Sequence, residues 1–344
     1  MSAIRRHPVI TFFLLAYAFS WAAIPWQSFF APGVLVAALI VVSLTEGVAG
    51  LRAMGSRLIR WRVSWIWYAL ALGVPLAVTF AAIGLNTAFG APVPDIAEFS
   101  VWYGLPMAIA INMINPLNAQ LPEEASFRGW AQPKLQTTRT PLAATVLMAI
   151  GVTIWHIPFF LMPQFGSSPI EALPTVAVTF WYAWLFNHAS GSALLTLIAH
   201  AANGTVETST LWRAGADTTR MTWLYSLVWC VVAIGLLVFN RRFWTKPPAQ
   251  VDDPDRAGTR VGRGLETHLE FLSDRFGLAS LRARVLPRAL SVAVAVAGLI
   301  GFQAAMPPWG VALGLAVAAV GVWLIRHDRT VRQVQTRPVP EPVV

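Results

Sequence analysis

Residues 121–130 read Leu-Pro-Glu-Glu-Ala-Ser-Phe-Arg-Gly-Trp, and two later apolar stretches carry one histidine each, His156 and His200. Two carboxylates, a guanidinium and two imidazoles can do hydrolytic chemistry, with a carboxylate or imidazole as general base and a donor facing the developing negative charge. Their setting makes them informative. At the centre of a bilayer each such group costs roughly 2–3 kcal/mol or more, so it faces a bundle interior or a watery cavity and marks a site.

Each residue also has a plainer reading. If Pro122 starts or kinks a helix, Glu123 and Glu124 fall in its first turn, where the helix dipole favours anions, and Glu124 can pair with Arg128 at i, i+4. A charged helix start at the membrane surface would look the same. It would not explain the two histidines. His156 lies in Gly-Val-Thr-Ile-Trp-His-Ile-Pro, with Pro158 loosening the helix just past it. His200 lies in Leu-Ile-Ala-His-Ala-Ala-Asn-Gly-Thr-Val-Glu, so Asn203 and Glu207 share its helix face, while Ala201, Ala202 and Gly204 admit a close neighbour. A single membrane histidine is often an interhelical hydrogen-bonder; two of them, in order with the glutamate pair, point to one site. Asn112 and Asn115, at i, i+3 in an apolar run, either line the cavity leading to Glu123 or bond a neighbouring helix. Glu123, His156 and His200 could alternatively hold zinc and leave one position for water, although no H-E-x-x-H helix fixes two ligands on one face.

The elements that must position these groups are membrane helices. The 344 residues are 56% hydrophobic and 12% charged, with mean hydropathy +0.59, whereas a soluble domain is about a quarter charged. Apolar runs of spanning length, about 17–25 residues, fall near 9–26, 32–50, 64–85, 101–119, 140–161, 170–187, 190–209, 221–240, 288–306 and 308–325. The expected fold is an all-α polytopic bundle: a core of about eight spans within 1–245, a linker over 246–287 with an amphipathic helix near 265–286, a two-span hairpin over 288–326, and a disordered tail over 327–344. The hairpin's glycines suit close association, with the bundle or between two copies of the chain.

The net charge of +9 is not arranged as a nucleic-acid-binding face; it sits in alternate loops. Arg5 and Arg6, the Arg52–Arg62 loop, Arg128–Arg139, Arg241–Lys246 and Arg326–Arg329 would all be cytoplasmic by the positive-inside rule, placing both termini in the cytoplasm of a multi-pass inner-membrane protein. Arg213 and Arg220 are the counter-signal. His188, His268 and His327 are expected to be solvated, and Cys230 has no partner for a disulfide.

In order and register, these residues resemble the CaaX-processing and bacteriocin-processing (CPBP, or Abi) intramembrane proteases. The first family motif, E-E-x-x-x-R continuing F-R-G, is matched by Glu123, Glu124, Phe127, Arg128 and Gly129. The second, F-x-x-x-H, is matched at His156, with Val152 in place of the phenylalanine. The third, H-x-x-x-N/D, is matched at His200, with Gly204 in the fourth position and Asn203 one residue early. The resemblance covers about 100–210. It implies hydrolysis of a peptide bond in a membrane-embedded or lipidated substrate, with Glu123 as base, His156 sharing the water, His200 helped by Asn203 at the oxyanion, and Glu124 with Arg128 holding the segment. It is compatible with a metalloprotease or with a metal-free glutamate mechanism, and the expectation leans to the latter. A non-catalytic protein for bacteriocin immunity or scaffolding is the rival class; a proton-coupled transporter would need inverted repeats that are not seen.

Overall fold

The computed structural model describes residues 3–94, 104–206, 211–212 and 215–248. These residues form helices and no strand. In chain order they are α1 (Ala3–Arg6), α2 (Pro8–Trp21), α3 (Gly33–Thr45), α4 (Gly47–Leu58), α5 (Trp65–Ala88), α6 (Gly104–Ile114), α7 (Gln120–Ser126), α8 (Gln132–Gln136), α9 (Pro141–Trp155), α10 (Ile157–Leu161), α11 (Ala172–His188), α12 (Ala193–Asn203), α13 (Ala216–Phe239) and α14 (Arg241–Trp244). The all-α architecture expected from the apolar runs is the one observed. The expected linker helix, hairpin and tail lie outside the described residues, as do Arg213 and Glu207.

Three stretches are long and apolar enough to cross a membrane by length and composition: Pro8–Trp26, Trp65–Ala88 and Ala216–Phe239. The helices that carry the candidate groups are shorter. With 15 residues in α9 and 11 in α12, they rise only ~22 and ~16 Å at 1.5 Å per residue. Local chemistry sets these lengths. Pro141 at the first position and the Thr140 hydroxyl, accepting the Ala143 N–H at 3.2 Å, start α9. Pro158, which has no N–H to give, marks its end just past His156. Ser192 caps α12 through the Leu195 N–H at 3.4 Å, after a reversal in which Ser190 and Gly191 both take positive φ. The apolar run expected over 32–50 is broken at Glu46, where Gly47 (φ 63°) turns the chain into the separate, charged α4.

Between α7 and α8 the helix widens into a π segment, Phe127–Ala131. Pro133 gives the physical reason: its ring presses on the carbonyl four residues back and offers it no N–H. That carbonyl is Gly129, and Arg57 Nη1 from α4 donates to it instead, at 2.8 Å.

Side chains tie the helix ends together at two levels. At one end Arg60 of the α4–α5 loop donates to the Ser190 carbonyl, Lys134 meets Glu46 at 2.8 Å, and Gln136 donates to Asn187 at 3.0 Å. At the other, Arg220 of α13 holds Asn86 of α5 (2.7 Å) and Asp217 (2.7 Å). The first end is basic. Arg220 is paired with Asp217 where it stands, and an acidic partner takes little from its weight as a counter-signal, because the positive-inside rule counts arginine and lysine rather than net charge.

Among the described residues the interior has two large cores and a small third one around Ala82, Trp212 and Met221. Phe12, Phe127, Trp130 and Trp155 anchor the one formed by α2–α4 and α7–α9; Trp181, Leu185, Leu195 and Trp229 anchor the one formed by α5 and α11–α13. Helix α7 packs on α12 across the seam, and the ionisable residues lie there.

Candidate active site

Glu124 and Arg128 are buried, at 0% and 1% exposure. Their i, i+4 pair is present at 3.1 Å, so the local spacing argument holds while the surface-cap reading does not. The same carboxylate oxygen, Glu124 Oε1, lies 3.0 Å from His200 Nδ1. A carboxylate on Nδ1 fixes the ring and places the proton there, leaving Nε2 as the working edge. The Arg128 guanidinium also stacks on the Tyr182 ring at 4.9 Å, and Tyr182 lies against the His200 ring at 5.3 Å between centroids.

Glu123 points elsewhere from Glu124, as neighbours on a helix must. It is 3% exposed, and its Oε1 has no hydrogen-bond partner among the described residues. It opens on a cavity of about 260 Å³ that is also lined by His156, His200, Asn203, Tyr182 and Tyr225. His156 Nδ1 lies 2.9 Å from the Val152 carbonyl. Since a carbonyl can only accept, Nδ1 donates, and in the neutral ring the lone pair is on Nε2. Position 152, where the resembling motif has phenylalanine, thus contributes its backbone to orienting His156 and its side chain to the cavity wall. Three short elements, α7, the α9–α10 junction and α12, converge inside the bundle.

Asn203 Oδ1 accepts from the Tyr225 hydroxyl at 2.8 Å, which leaves the amide N–H₂ for a ligand. One residue on, a side chain at Gly204 would have its Cβ 2.9 Å from Gln120 Nε2; the Gln120 amide fills the space that an asparagine there would claim. Asn112 donates weakly to Thr205 Oγ1 (3.4 Å) and accepts from Asn118 (2.9 Å), while Asn115 accepts the Leu117 N–H at 3.0 Å in the turn after α6. Both do structural work, and neither lines the cavity. His188, expected to be solvated, is instead 6% exposed, stacked on Trp184 and tilted against Phe243. Sequence reasoning missed Tyr182, Tyr225 and Glu171 on the cavity wall. Aromatic residues in an apolar helix are indistinguishable by pattern from ordinary core.

Among the described residues, no three His, Cys, Asp or Glu side chains are grouped closely enough to share one metal ion. No step below is routed through a metal.

Residues 101–206, the segment that supplies Glu123, Glu124, Arg128, His156, His200 and Asn203, match the family model described as Rce1-like, type II CAAX prenyl endopeptidase. No curated protein matches the chain.

Proposed function

We propose that this chain, whose residues 101–206 belong to the Rce1-like family of type II CAAX prenyl endopeptidases, is an intramembrane endopeptidase that activates water with Glu123 and His156. The observation that carries this reading is the unpartnered Glu123 carboxylate oxygen in the same cavity as two histidines whose Nδ1 atoms are both already engaged. Glu123 takes a proton from a water whose second hydrogen is held by His156 Nε2. The hydroxide adds to the scissile carbonyl, and the oxyanion is met by His200 Nε2–H and the Asn203 amide. His200 acts as an imidazolium stabilised by Glu124 at 3.0 Å. Glu123 then returns its proton to the departing amine, so one water is consumed and one acid and one amine are formed.

The substrate on this reading is a membrane-embedded or lipidated peptide. We place the basic end of the bundle at the cytoplasmic face of the inner membrane by the positive-inside rule, with both termini there.

The test is cleavage of a membrane-tethered peptide by purified protein. Glu123→Gln keeps the shape of the side chain and loses the base, and is expected to lower kcat by at least ~10³-fold with KM little changed. Cleavage that survives this substitution would overturn the assignment; full biological activity without cleavage would favour immunity or scaffolding. Strong chelators are expected to leave the rate unaltered, and a rate that falls on chelation and returns with zinc would reinstate the metalloprotease.

A further inference from the structure

The cavity wall holds a second carboxylate that hydrolysis does not use. Glu171 ends the 3₁₀ turn Pro169–Glu171 that leads into α11. Its Oε1 accepts the Ser168 N–H at 2.9 Å, and no lysine or arginine pairs with it among the described residues. Among the described residues that line the cavity the one lysine or arginine is Arg128, which is bound to Glu124. The lining on this side also includes Ser167 and Thr175 beside the apolar Phe159, Phe160 and Pro174. A carboxylate at a helix start is favoured by the dipole, and the Ser168 bond accounts for one oxygen. Neither requires it to face the cavity that holds the base, and a glutamine would serve the Ser168 N–H equally.

Resting on the hydrolytic reading, we propose that Glu171 forms a subsite for a cationic side chain of the substrate, a lysine or arginine whose aliphatic stem lies on Phe159 and Phe160. The geometry also sets where that residue lies. Glu171, Thr175, Val178, Thr179 and Tyr182 all line the cavity along one face of α11, and Tyr182 touches His200. Eleven helical residues span ~16 Å, which an extended peptide covers in about five residues at ~3.3 Å each. The reach of the two long side chains shortens this, so the cation sits roughly three to five residues from the scissile bond.

The experiment uses the full-length protein in nanodiscs and lipid-anchored peptides that differ at one position, carrying lysine, norleucine or glutamate, with that position scanned along the peptide. Wild type is expected to prefer lysine over norleucine by ~10-fold in kcat/KM, expressed in KM, at positions three to five residues from the cut. In Glu171→Gln that preference collapses, and in Glu171→Lys it passes to the glutamate peptide. An equal loss on all three peptides would show a merely structural role, and an unchanged lysine preference would place the subsite elsewhere; either result overturns the proposal. Binding of the same peptides to Glu123→Gln separates the two readings. Lysine-dependent binding by a protein whose wild type cleaves nothing would leave the subsite standing and remove the hydrolytic function. Cleavage by wild type with charge-indifferent binding would do the reverse.

Discussion

Glu124 contributes one oxygen to two partners, Arg128 at 3.1 Å and His200 at 3.0 Å, and so couples the stability of the bundle to the orientation of the His200 ring. The two duties can be separated. Removing the carboxylate alone, Glu124→Ala, leaves Arg128 buried without a counter-charge and is expected to cost ~3–5 kcal/mol, read as a lower midpoint of denaturation in detergent. Replacing both partners, Glu124→Leu with Arg128→Met, restores most of that stability because neither charge remains. Activity stays lost, since nothing then holds the proton on His200 Nδ1. Recovery of cleavage in the double variant would show that His200 needs no such orienting partner. Tyr182 presents the opposite case. Its hydroxyl is buried without a partner and lines the cavity. Tyr182→Phe should leave stability unaltered or slightly raised and lower kcat by ~10-fold if the hydroxyl meets substrate during turnover; unchanged kinetics would remove Tyr182 from the site.

At the scale of elements, precision comes from close approaches rather than long spans. A Cβ on Gly151 of α9 would lie 2.4 Å from Phe13 Cζ of α2, and the Gly151 carbonyl accepts from Tyr17 at 2.9 Å. The ring cannot retreat cheaply, because it packs on Phe12, Tyr17 and Phe127. Gly151→Ala is therefore expected to cost ~1–3 kcal/mol through overpacking. It should also lower kcat, since α9 carries His156 five residues on. Adding Phe13→Ala makes room for the methyl and should restore turnover better than stability; a double variant as inactive as the single one would break the link between this contact and His156. The apolar runs and the glutamate–histidine order were legible in the sequence because each rests on composition or on i, i+4 spacing. The π segment was not, although Pro133 is visible, because its consequence depends on Arg57 arriving from α4 to take the Gly129 carbonyl. Nor was the shortness of α12: the span expected over 190–209 starts only at Ala193, after the Ser190–Gly191 reversal, and stops at Asn203. Glu171 and Tyr225 were hidden for a like reason: a helix-start glutamate and a core tyrosine look ordinary until a cavity is seen beside them.

At the scale of the molecule, the site lies where two cores meet, with α7 and its π segment drawn from one and α11 and α12 from the other. The outward faces are apolar, as a bilayer requires: Trp223, Leu227, Val231, Ile234 and Val238 form an exposed stripe along α13 at helical spacing. Every group assigned a part in hydrolysis, and every residue lining the cavity, falls between Glu123 and Trp229. The apolar runs near 288–306 and 308–325 contain no acidic residue, lysine or histidine, so they offer packing surface and no catalytic group. We therefore expect a chain ending after Lys246, where α14 has closed the basic end through Phe243 against His188, to insert and cleave at a rate within about two- to threefold of the full protein. The measurement is turnover per inserted molecule in membranes, with insertion checked by detergent extraction and thermal unfolding. If a folded, inserted truncate loses cleavage altogether, the C-terminal hairpin shapes the active site, and the catalytic unit extends beyond the core formed by α1–α14.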